Sequence, residues 1–298
     1  MKFFVSWTSR DPCFQDYDHE CNVLVSPANV PSFWNIANWK NLPNELFVDS
    51  GAFSIRGDVI APIENILKRQ LFIAKGWPSS KNLYFSHPDL LLPLKSSFND
   101  ANDRVALSLA RAKEYFHLLS RSKTKAIPVG VIHGFDEETV LCTYCELKDI
   151  GYRHFALGSL GIRLSRYKKT CIKSIRTAQK YGVKPLHLFG VTLPLVANQD
   201  LDQDFESFDT SSPAKLGFYG TVLYGKPLKR YVIAPDSKQE FHDRSFTFRE
   251  AITNPLPCKC PICKLDPQRL VRKPESEAKI NRTIHNYFQI KWELQNTI

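Results

Sequence analysis

Residues 46–54 read Leu46-Phe47-Val48-Asp49-Ser50-Gly51-Ala52-Phe53-Ser54. An apolar run typical of a buried strand stops at an acid, and a Ser-Gly turn follows. In parallel α/β proteins, ligands bind at the carboxyl ends of the strands, which is where Asp49 would lie. Asp49 is therefore a candidate site residue. An Asp at such a point also commonly caps a helix or fixes a turn, so that alternative stays open here.

Strand-like and helical segments alternate over residues 1–235. A β-α alternation predicts a parallel sheet, and seven or eight units in 298 residues favour a closed (β/α)₈ barrel. An eighth strand is expected at 218–224 or 230–234, a short helix at 27–39 with Ser26 as its N-cap, and an amphipathic helix at 101–120. The other predicted strands are 2–7, 46–49, 82–86, 126–132, 154–157, 186–189 and 205–208.

The rest of the chain differs in composition. Residues 236–270 carry few strand signals and a dense group of Pro and Cys, and a helix is expected from about residue 275 to the end. We therefore predict a catalytic barrel over residues 1–235. Residues 236–298 are predicted to form a metal-binding region with a C-terminal helix that completes the barrel.

Composition narrows the class of protein. The chain is 43% hydrophobic, so it can bury a full core, and its formal net charge of +10 suits a polyanion such as nucleic acid. No apolar run is long enough for a signal peptide or a membrane span, so an intracellular protein without membrane contact is expected. Its eight Cys are then reduced thiols or metal ligands. Cys142 and Cys145 lie in a helical pattern and are expected to pack in the core.

A metal site is predicted near the C-terminus. Cys258, Cys260 and Cys263 form a C-x-C-x₂-C cluster, and His285 follows within a helical pattern. Three thiolates and an imidazole are a normal tetrahedral zinc set, and four protein ligands leave no open position for catalysis. One structural Zn²⁺ is therefore predicted. The alternatives are a disulfide or three unrelated buried cysteines.

Several segments resemble the tRNA-guanine transglycosylases and their relatives that insert 7-deazaguanines into DNA. Each motif is weak alone, but they occur in the family's order and end with its zinc pattern. The segments are Val48-Asp49-Ser50-Gly51-Ala52-Phe53, Gly130-Val131-Ile132-His133-Gly134, Ala156-Leu157-Gly158-Ser159-Leu160, Leu188-Phe189-Gly190-Val191 and Phe208-Asp209-Thr210-Ser211-Ser212. The resemblance implies a zinc-containing (β/α)₈ barrel that exchanges guanine for a deazapurine.

The resemblance also implies two catalytic carboxylates. Asp209 matches the family's nucleophile, and a carboxylate can form and release a covalent glycosyl bond. Asp49 matches the residue that binds the purine edge and transfers protons. A second carboxylate nearby and apolar surroundings would raise its pKa, which suits a general acid and base. An Asp before Thr210-Ser211-Ser212 also suits a helix cap, so that alternative stays open for Asp209.

The base pocket implied by the resemblance has acidic, polar and small residues. Asp89 would accept hydrogen bonds from the N–H edge of guanine, unless it caps a helix. His133 replaces a family Gln and would contact the base carbonyl, unless it is only a satisfied strand-end histidine. Small residues permit close approach of the backbone to a planar ligand, and Phe53 would stack on it. The remaining substrate-binding candidates are Ser50, Gly134, Gly158 and Ser159.

The polymer partner is expected to be DNA, with tRNA as the alternative. The segment Thr210–Lys215 lacks the Pro-Thr-Arg run usual in the tRNA enzymes, and Ala52 replaces a Gly, so the DNA branch and insertion of 7-cyano-7-deazaguanine (preQ0) are favoured. The target guanosine would have to be flipped out. Phosphate contacts, unless they are ordinary solvated faces, would come from Arg163, Arg166, Lys168, Lys169, Lys226, Lys229, Arg230, Lys264, Arg269, Arg272 and Lys273.

Two other classes compete with this interpretation. A non-catalytic nucleic-acid-binding paralogue would lack the nucleophile, whereas Asp49 and Asp209 are both present. A zinc hydrolase would need an open metal site, whereas the Cys₃His set is closed. Free guanine or 7-deazaguanine is the expected small-molecule partner, and an accessory protein or a homodimer is compatible with the family. The expected context is cytoplasmic, in a bacterium or phage.

Overall fold

The computed structural model describes residues 1–52, 61–92, 97–134, 136–160, 168–192, 205–225, 228–233, 244–245 and 258–297. Eight parallel strands form a closed barrel, which confirms the predicted fold class. Strand 8 pairs with strand 1, with Asp209 opposite Phe4. The strands are β1 (Lys2–Trp7), β2 (Asn22–Val25), β3 (Glu45–Val48), β4 (Leu83–Ser86), β5 (Ile127–Ile132), β6 (His154–Leu157), β7 (Leu186–Leu188) and β8 (Ser207–Thr210).

The predicted eighth strand is wrong. Both segments proposed for it are extended, as β9 (Thr221–Tyr224) and β10 (Lys229–Val232), but they are antiparallel and form a separate sheet with β11 (Arg244–Ser245). The missing barrel strand is β2 (Asn22–Val25), to which the sequence analysis assigned no strand. Composition indicates that a segment is extended, whereas the sheet it joins depends on its partners.

Among the described residues, a helix lies between each pair of consecutive strands from β3 to β7: α1 (Ile63–Ile73), α2 (Phe98–Arg121), α3 (Glu137–Ile150) and α4 (Lys168–Lys180). Polar side chains start two of them, because Ser97 accepts a bond from the Asp100 N–H and Asp136 accepts one from the Thr139 N–H. Within the described residues, no helix is both long enough and apolar enough to cross a membrane.

Two predictions about helices are wrong. Residues 27–39 form two 3₁₀ turns, Pro27–Asn29 and Ile36–Asn38, instead of one helix, and the Ser26 side chain makes no cap bond to the first of them. The thiols Cys142 and Cys145 on α3 are exposed and do not pack in the core. The buried side of α3 instead carries Val140, Thr143 and Leu147.

Alternation along the strands explains how the barrel presents polar groups. Successive side chains point to opposite faces of a strand, so residues two apart share a face. A buried apolar cluster contains Phe4, Phe47 and Ala156. Two positions further along the sequence from these three residues, near the carboxyl ends of β1, β3 and β6, are Ser6, Asp49 and Gly158. Apolar residues thus fill the barrel interior, and polar or small residues follow them on the same face.

Contacts divide the chain into two compact units, Met1–Ser9 with His19–Thr210 and Arg10–Asp18 with Ser211–Ile298. The first is the barrel. In its described residues, the second contains β9 to β11 and the α-helices α5 (Ser212–Phe218), α6 (Pro261–Leu265) and α7 (Glu275–Thr297). The predicted division of function between residues 235 and 236 stays a prediction.

Helices α5 and α7 pack closely where Gly217 meets Thr283. A Cβ on Gly217 would lie 2.5 Å from Thr283 Oγ1 and 2.7 Å from its backbone N, so no larger residue fits there without a shift. The fully buried guanidinium of Arg282 donates to the carbonyls of Gly217 and Leu270, each at 2.9 Å, and pairs with Glu275. These bonds satisfy a charge that would otherwise be costly to bury.

Candidate active site and metal centre

Asp209 is held by donors from two strands, with Ser6 on β1 and both His187 and Gly190 on or just after β7. Its Oδ2 accepts a hydrogen bond from the Ser6 hydroxyl at 2.5 Å, and its Oδ1 accepts one from the Gly190 backbone N–H at 2.8 Å. His187 Nε2 lies 3.4 Å from the same Oδ1. Asp209 is only 5% exposed, and the cap of the following helix is Ser211. Its contacts are therefore those of an oriented carboxylate and differ from those of a helix cap.

Asp49 follows β3 and forms a tight turn with Gly51. Its Oδ1 accepts a hydrogen bond from the Gly51 N–H at 2.7 Å, and Gly51 has a φ of +79°, which glycine adopts without strain. The turn-fixing alternative is thus part of what Asp49 does. Burial raises the pKa of Asp49 to about 7. The Ser26 hydroxyl and the Gly51 N–H act to lower this pKa, whereas the negative charges of Asp209 and Asp89 act to raise it. A carboxyl with this pKa can both give and take a proton near neutral pH.

Asp89 is a buried carboxylate with two side-chain donors. Ser50 donates to its Oδ1 at 2.9 Å, and His133 Nε2 lies 2.8 Å from its Oδ2. Burial acts to raise the pKa of Asp89. The hydrogen bond and charge of His133, together with His87 and Ser50, outweigh that effect and bring the pKa below its ordinary value. Asp89 is therefore ionised at neutral pH, and it does not cap α2, whose N-cap is Ser97.

The tautomer of His133 follows from its second neighbour. The Ser159 hydroxyl accepts a hydrogen bond from the Leu92 N–H at 3.0 Å and lies 3.2 Å from His133 Nδ1. When Ser159 donates its proton to Nδ1, the ring carries its own proton on Nε2, facing Asp89. His133 is thus more than a strand-end histidine, because it connects β6 to a buried carboxylate.

Small residues leave room for this arrangement. A Cβ on Gly158 would lie 2.4 Å from Cε1 of His133, so only glycine lets that ring take its place. A Cβ on Gly134 would lie 2.3 Å from the Val140 side chain, which couples the end of β5 to α3. Phe53, the predicted stacking residue, lies outside the described residues.

Sequence reasoning missed a buried glutamine that supports Asp49. Gln70 Nε2 lies within hydrogen-bond distance of the carbonyls of Val48, Asp49 and Ser86, at 3.2, 3.0 and 3.0 Å. Its Oε1 accepts the Tyr115 hydroxyl at 2.6 Å. Gln70 therefore ties the carboxyl ends of β3 and β4 together. Ser6, Gly190 and His187 were also missed. Ser6 and Gly190 lie near the carboxyl ends of β1 and β7, where functional groups meet in a parallel barrel, and His187 lies within β7.

The second unit contains the predicted Cys₃His cluster. One ligand atom from each of Cys258, Cys260, Cys263 and His285 can be chosen so that all lie within 4.8 Å of one another. His285 Nδ1 is 3.5 Å from Cys260 Sγ and 3.4 Å from Cys263 Sγ. Tetrahedral zinc with ordinary bond lengths separates a sulfur and a nitrogen ligand by about 3.6 Å. The geometry fits zinc, and these thiols are free.

Groups around the cluster orient its ligands. His285 Nε2 donates to the Leu223 carbonyl at 2.9 Å, which leaves Nδ1 with its lone pair towards the thiols. Gln289 donates to Cys258 Sγ at 3.1 Å, and the backbone N–H of Cys263 donates to Cys260 Sγ at 3.4 Å. Such bonds stabilise thiolate charge. The set is fully supplied by protein side chains, as in a structural site.

Comparison with known proteins adds to this geometry. The family model described as queuine tRNA-ribosyltransferase (TGT) matches residues 85–297, which is more than half of the chain. The chain belongs to this family. The match to the queuine tRNA-ribosyltransferase family includes Asp89, His133, Asp209 and the Cys₃His cluster, whereas Asp49 precedes it.

Curated relatives are similar at lower identity. The tRNA-guanine(15) transglycosylase of Pyrobaculum aerophilum is 25% identical over 255 residues, covering 84% of this chain and 46% of the relative. Enzymes of the same name from Thermococcus kodakarensis and Pyrococcus furiosus are 24% and 25% identical, each covering 69% of this chain and 32% of the relative. The chain thus spans from about a third to just under a half of the length of these relatives.

Proposed function

We propose that this chain is a pentosyltransferase that exchanges guanine in a nucleic acid for a 7-deazaguanine base. The observation that carries the proposal is the pairing, at one end of the barrel, of an oriented carboxylate on β8 with a second carboxyl after β3 whose pKa is about 7. A carboxyl with a pKa near neutral suits acid-base catalysis, and an oriented carboxylate suits nucleophilic attack. Membership of the queuine tRNA-ribosyltransferase family supports the same chemistry.

In the proposed first step, Asp209 attacks the anomeric carbon of the target guanosine. Two donors contact Oδ1, whereas Ser6 alone contacts Oδ2, so Oδ2 keeps the freer lone pair for the new bond. As the C1′–Oδ2 bond forms, the bond from C1′ to the base breaks. Asp49 in its protonated form gives its proton to the departing guanine.

The second step reverses the first with a different base. The incoming deazaguanine loses a proton to the Asp49 carboxylate, and its nitrogen attacks C1′. The bond to Asp209 breaks, and the carboxylate returns to its starting state. Asp49 ends protonated, as it began, so the cycle balances without another proton source. A pKa near the working pH allows one residue to serve both steps.

Asp89 is the proposed base-binding residue, and His133 holds it in position. The ionised Asp89 carboxylate can accept two N–H bonds from the guanine edge with the lone pairs that Ser50 and His133 leave free. Gly134, Gly158 and Ser159 would allow the backbone to approach the ring, and stacking by Phe53 stays a prediction. His133, which stands where the resemblance has Gln, fixes Asp89 and would leave the base carbonyl to backbone N–H groups.

We propose one structural zinc in the Cys₃His cluster. All four positions are filled by Cys258, Cys260, Cys263 and His285, so the ion would have no site for substrate. Its contribution would be to the stability of the second unit. The closed donor set also speaks against the zinc-hydrolase alternative.

The polymer substrate has two candidates. The names of the relatives favour tRNA. DNA is favoured by the altered segment after Asp209 and by Ala52 in place of the family's second Gly. In the described residues, Lys169, Arg230, Lys264, Arg272 and Lys273 are exposed and available to phosphates, although Arg272 also pairs with Asp266. Arg163, Arg166 and Lys226 lie outside the described residues. A partner protein or second copy, and a cytoplasmic bacterial or phage setting, stay predictions.

The test is release of labelled guanine. tRNA and duplex DNA carrying labelled guanine are incubated separately with the protein and preQ0 or another 7-deazaguanine. We expect release from one polymer, and we expect Asp209→Asn to lower it by about 10⁴-fold or more because the nucleophile is lost. Asp149→Asn, at an exposed acid near the end of α3, is the matched control and should match the wild type. Equal release by the Asp209→Asn and wild-type proteins would exclude the proposed mechanism.

A further inference from the structure

His187 on β7 is a buried histidine next to Asp209. Its Nε2 lies 3.4 Å from Asp209 Oδ1, its Nδ1 lies 2.8 Å from Ser207 Oγ, and it is 4% exposed. Its ring contacts those of Phe4, Phe47 and Phe189, with centroid distances of 5.8, 4.9 and 4.8 Å. The ring is therefore fixed in an apolar setting with one polar partner at each nitrogen.

The partners decide where the ring protons lie. An ionised carboxylate only accepts hydrogen bonds, so Nε2 must carry a proton towards Asp209. In the neutral ring, Nδ1 then accepts from the Ser207 hydroxyl. Because the His187 ring is largely buried among aromatic rings, a hydrogen bond from it to the carboxylate is stronger here than it would be in bulk solvent.

We propose that His187 is a positioning residue for Asp209, and this inference rests on the proposed nucleophilic role of that carboxylate. With the Gly190 N–H, His187 engages Oδ1 and leaves Oδ2 directed to the sugar. It also stabilises the negative charge that returns to Asp209 when the covalent intermediate breaks down. The second half-reaction, in which Asp209 is the leaving group, should therefore depend on His187 more than the first.

A cavity of about 370 Å³ at the amino-terminal end of the barrel makes this testable by chemical rescue. His187 lines it, together with Phe4, Phe47, Tyr84, His154 and Ser207. The charged groups that face the cavity are Lys2 and Glu206, whose side chains are 37% and 50% exposed, so the cavity reaches the surface. Removing the His187 ring would extend this space to Asp209, and a free imidazole could then take its place.

The experiment compares four variants of the full chain on the polymer that the wild type accepts. His187→Ala removes the ring, His187→Gln keeps a donor, and His187→Phe keeps the packing without a donor. His154→Ala is the matched control, because His154 lines the same cavity but has no bond to Asp209 among those described. Formation of the covalent adduct is measured in a single turnover without an incoming base, and its breakdown is measured after deazaguanine is added.

We expect His187→Ala to slow breakdown by about 10-fold or more, as for loss of a hydrogen bond to a charged group, and to slow formation less. Added imidazole should restore breakdown in His187→Ala and not in His187→Phe, where the space is filled. His187→Gln should retain most of the breakdown rate, and His154→Ala should behave as the wild type.

Two failures can be told apart. In the first case, the wild type forms an adduct that Asp209→Asn cannot form, and His187→Ala and His187→Phe form and break down the adduct at the wild-type rates. The inference about His187 is then wrong, and the proposed function stands. Equal slowing of both steps without rescue by imidazole would likewise reduce His187 to a packing role. If the wild type forms no adduct at Asp209 at all, the proposed function itself fails.

Discussion

The protein holds two clusters of polar side chains that are built in opposite ways. In the Cys₃His cluster, the ligand atoms point at one another within 4.8 Å, and surrounding donors and acceptors complete their bonds. At the barrel mouth, carboxylates keep unused lone pairs, and one of them has a pKa near 7. The first arrangement suits a permanently bound ion, and the second suits a substrate that comes and goes.

The two clusters also differ in how the chain assembles them. Three cysteines lie within six residues, and the fourth ligand is on a helix of the same unit. The mouth instead gathers Ser6, Asp49, Asp89, His133 and Asp209 from across the barrel. A local cluster is stable only if its ion binds, whereas the mouth inherits its geometry from eight paired strands. Loss of one residue should therefore affect stability in the first case and chemistry in the second.

Cys260→Ala should have the largest effect on stability. Binding energy for a structural zinc is folding energy, so the variant should lose its ion and destabilise the second unit by about 3 kcal/mol or more. Zinc content per chain and urea unfolding followed by a probe in that unit are the measurements. Cys145→Ala, at an exposed thiol on α3, is the control and should change neither. A Cys260→Ala protein with one zinc per chain and unchanged stability would contradict the structural role.

His133→Leu should have an intermediate effect at the mouth. It removes the donor 2.8 Å from Asp89 and leaves a buried carboxylate with one partner fewer, at a cost of about 2 kcal/mol. We expect the KM for the incoming base to rise by about 10-fold or more, with a smaller change in kcat. His133→Gln retains a donor and introduces the residue that the resemblance expects, so it should remain within about 3-fold of the wild type. Equal effects of both substitutions would show that the donor is unimportant.

The difference between the clusters explains what the sequence could predict. The metal ligands were predicted from spacing alone, because short local spacing limits their geometry. The barrel was predicted from the β-α alternation, although β2 was missed and two strands of the smaller sheet were placed in the barrel. Strand-end residues such as Asp49, Asp89 and Asp209 were chosen by resemblance, and the structure brings them to the same end of the barrel.

The supporting groups could not be predicted in the same way. Gln70, Ser6 and His187 act through partners that are 16 to 203 positions away, so their roles appear only when the strands are paired. Local signals were also ambiguous, because Pro27–Asn29 and Ile36–Asn38 have helix-like composition and form only 3₁₀ turns. Propensity determines short segments weakly, and tertiary contacts decide among the alternatives.

Asp49→Asn should change stability in the opposite direction to Cys260→Ala. The pKa of Asp49 is about 7 in the folded protein, whereas its ordinary value is 3.8. Protons therefore bind more tightly to the folded state, so this carboxyl destabilises the protein increasingly as the pH rises from about 4 to 7 and by a constant amount above that. Asn cannot ionise, and its side-chain oxygen can still accept the Gly51 N–H.

We therefore expect Asp49→Asn to be more stable than the wild type by about 2 kcal/mol at pH 8, with the gain shrinking as the pH falls towards 5. Urea unfolding at several pH values measures this gain, and Asp149→Asn should show none. Guanine exchange should fall by about 100-fold or more, because no group then moves the proton. A gain in stability with a loss of guanine exchange would mean that Asp49 lowers the stability of the protein and serves its catalytic proton transfer. A variant less stable at every pH would instead make the turn at Gly51 the main role of Asp49.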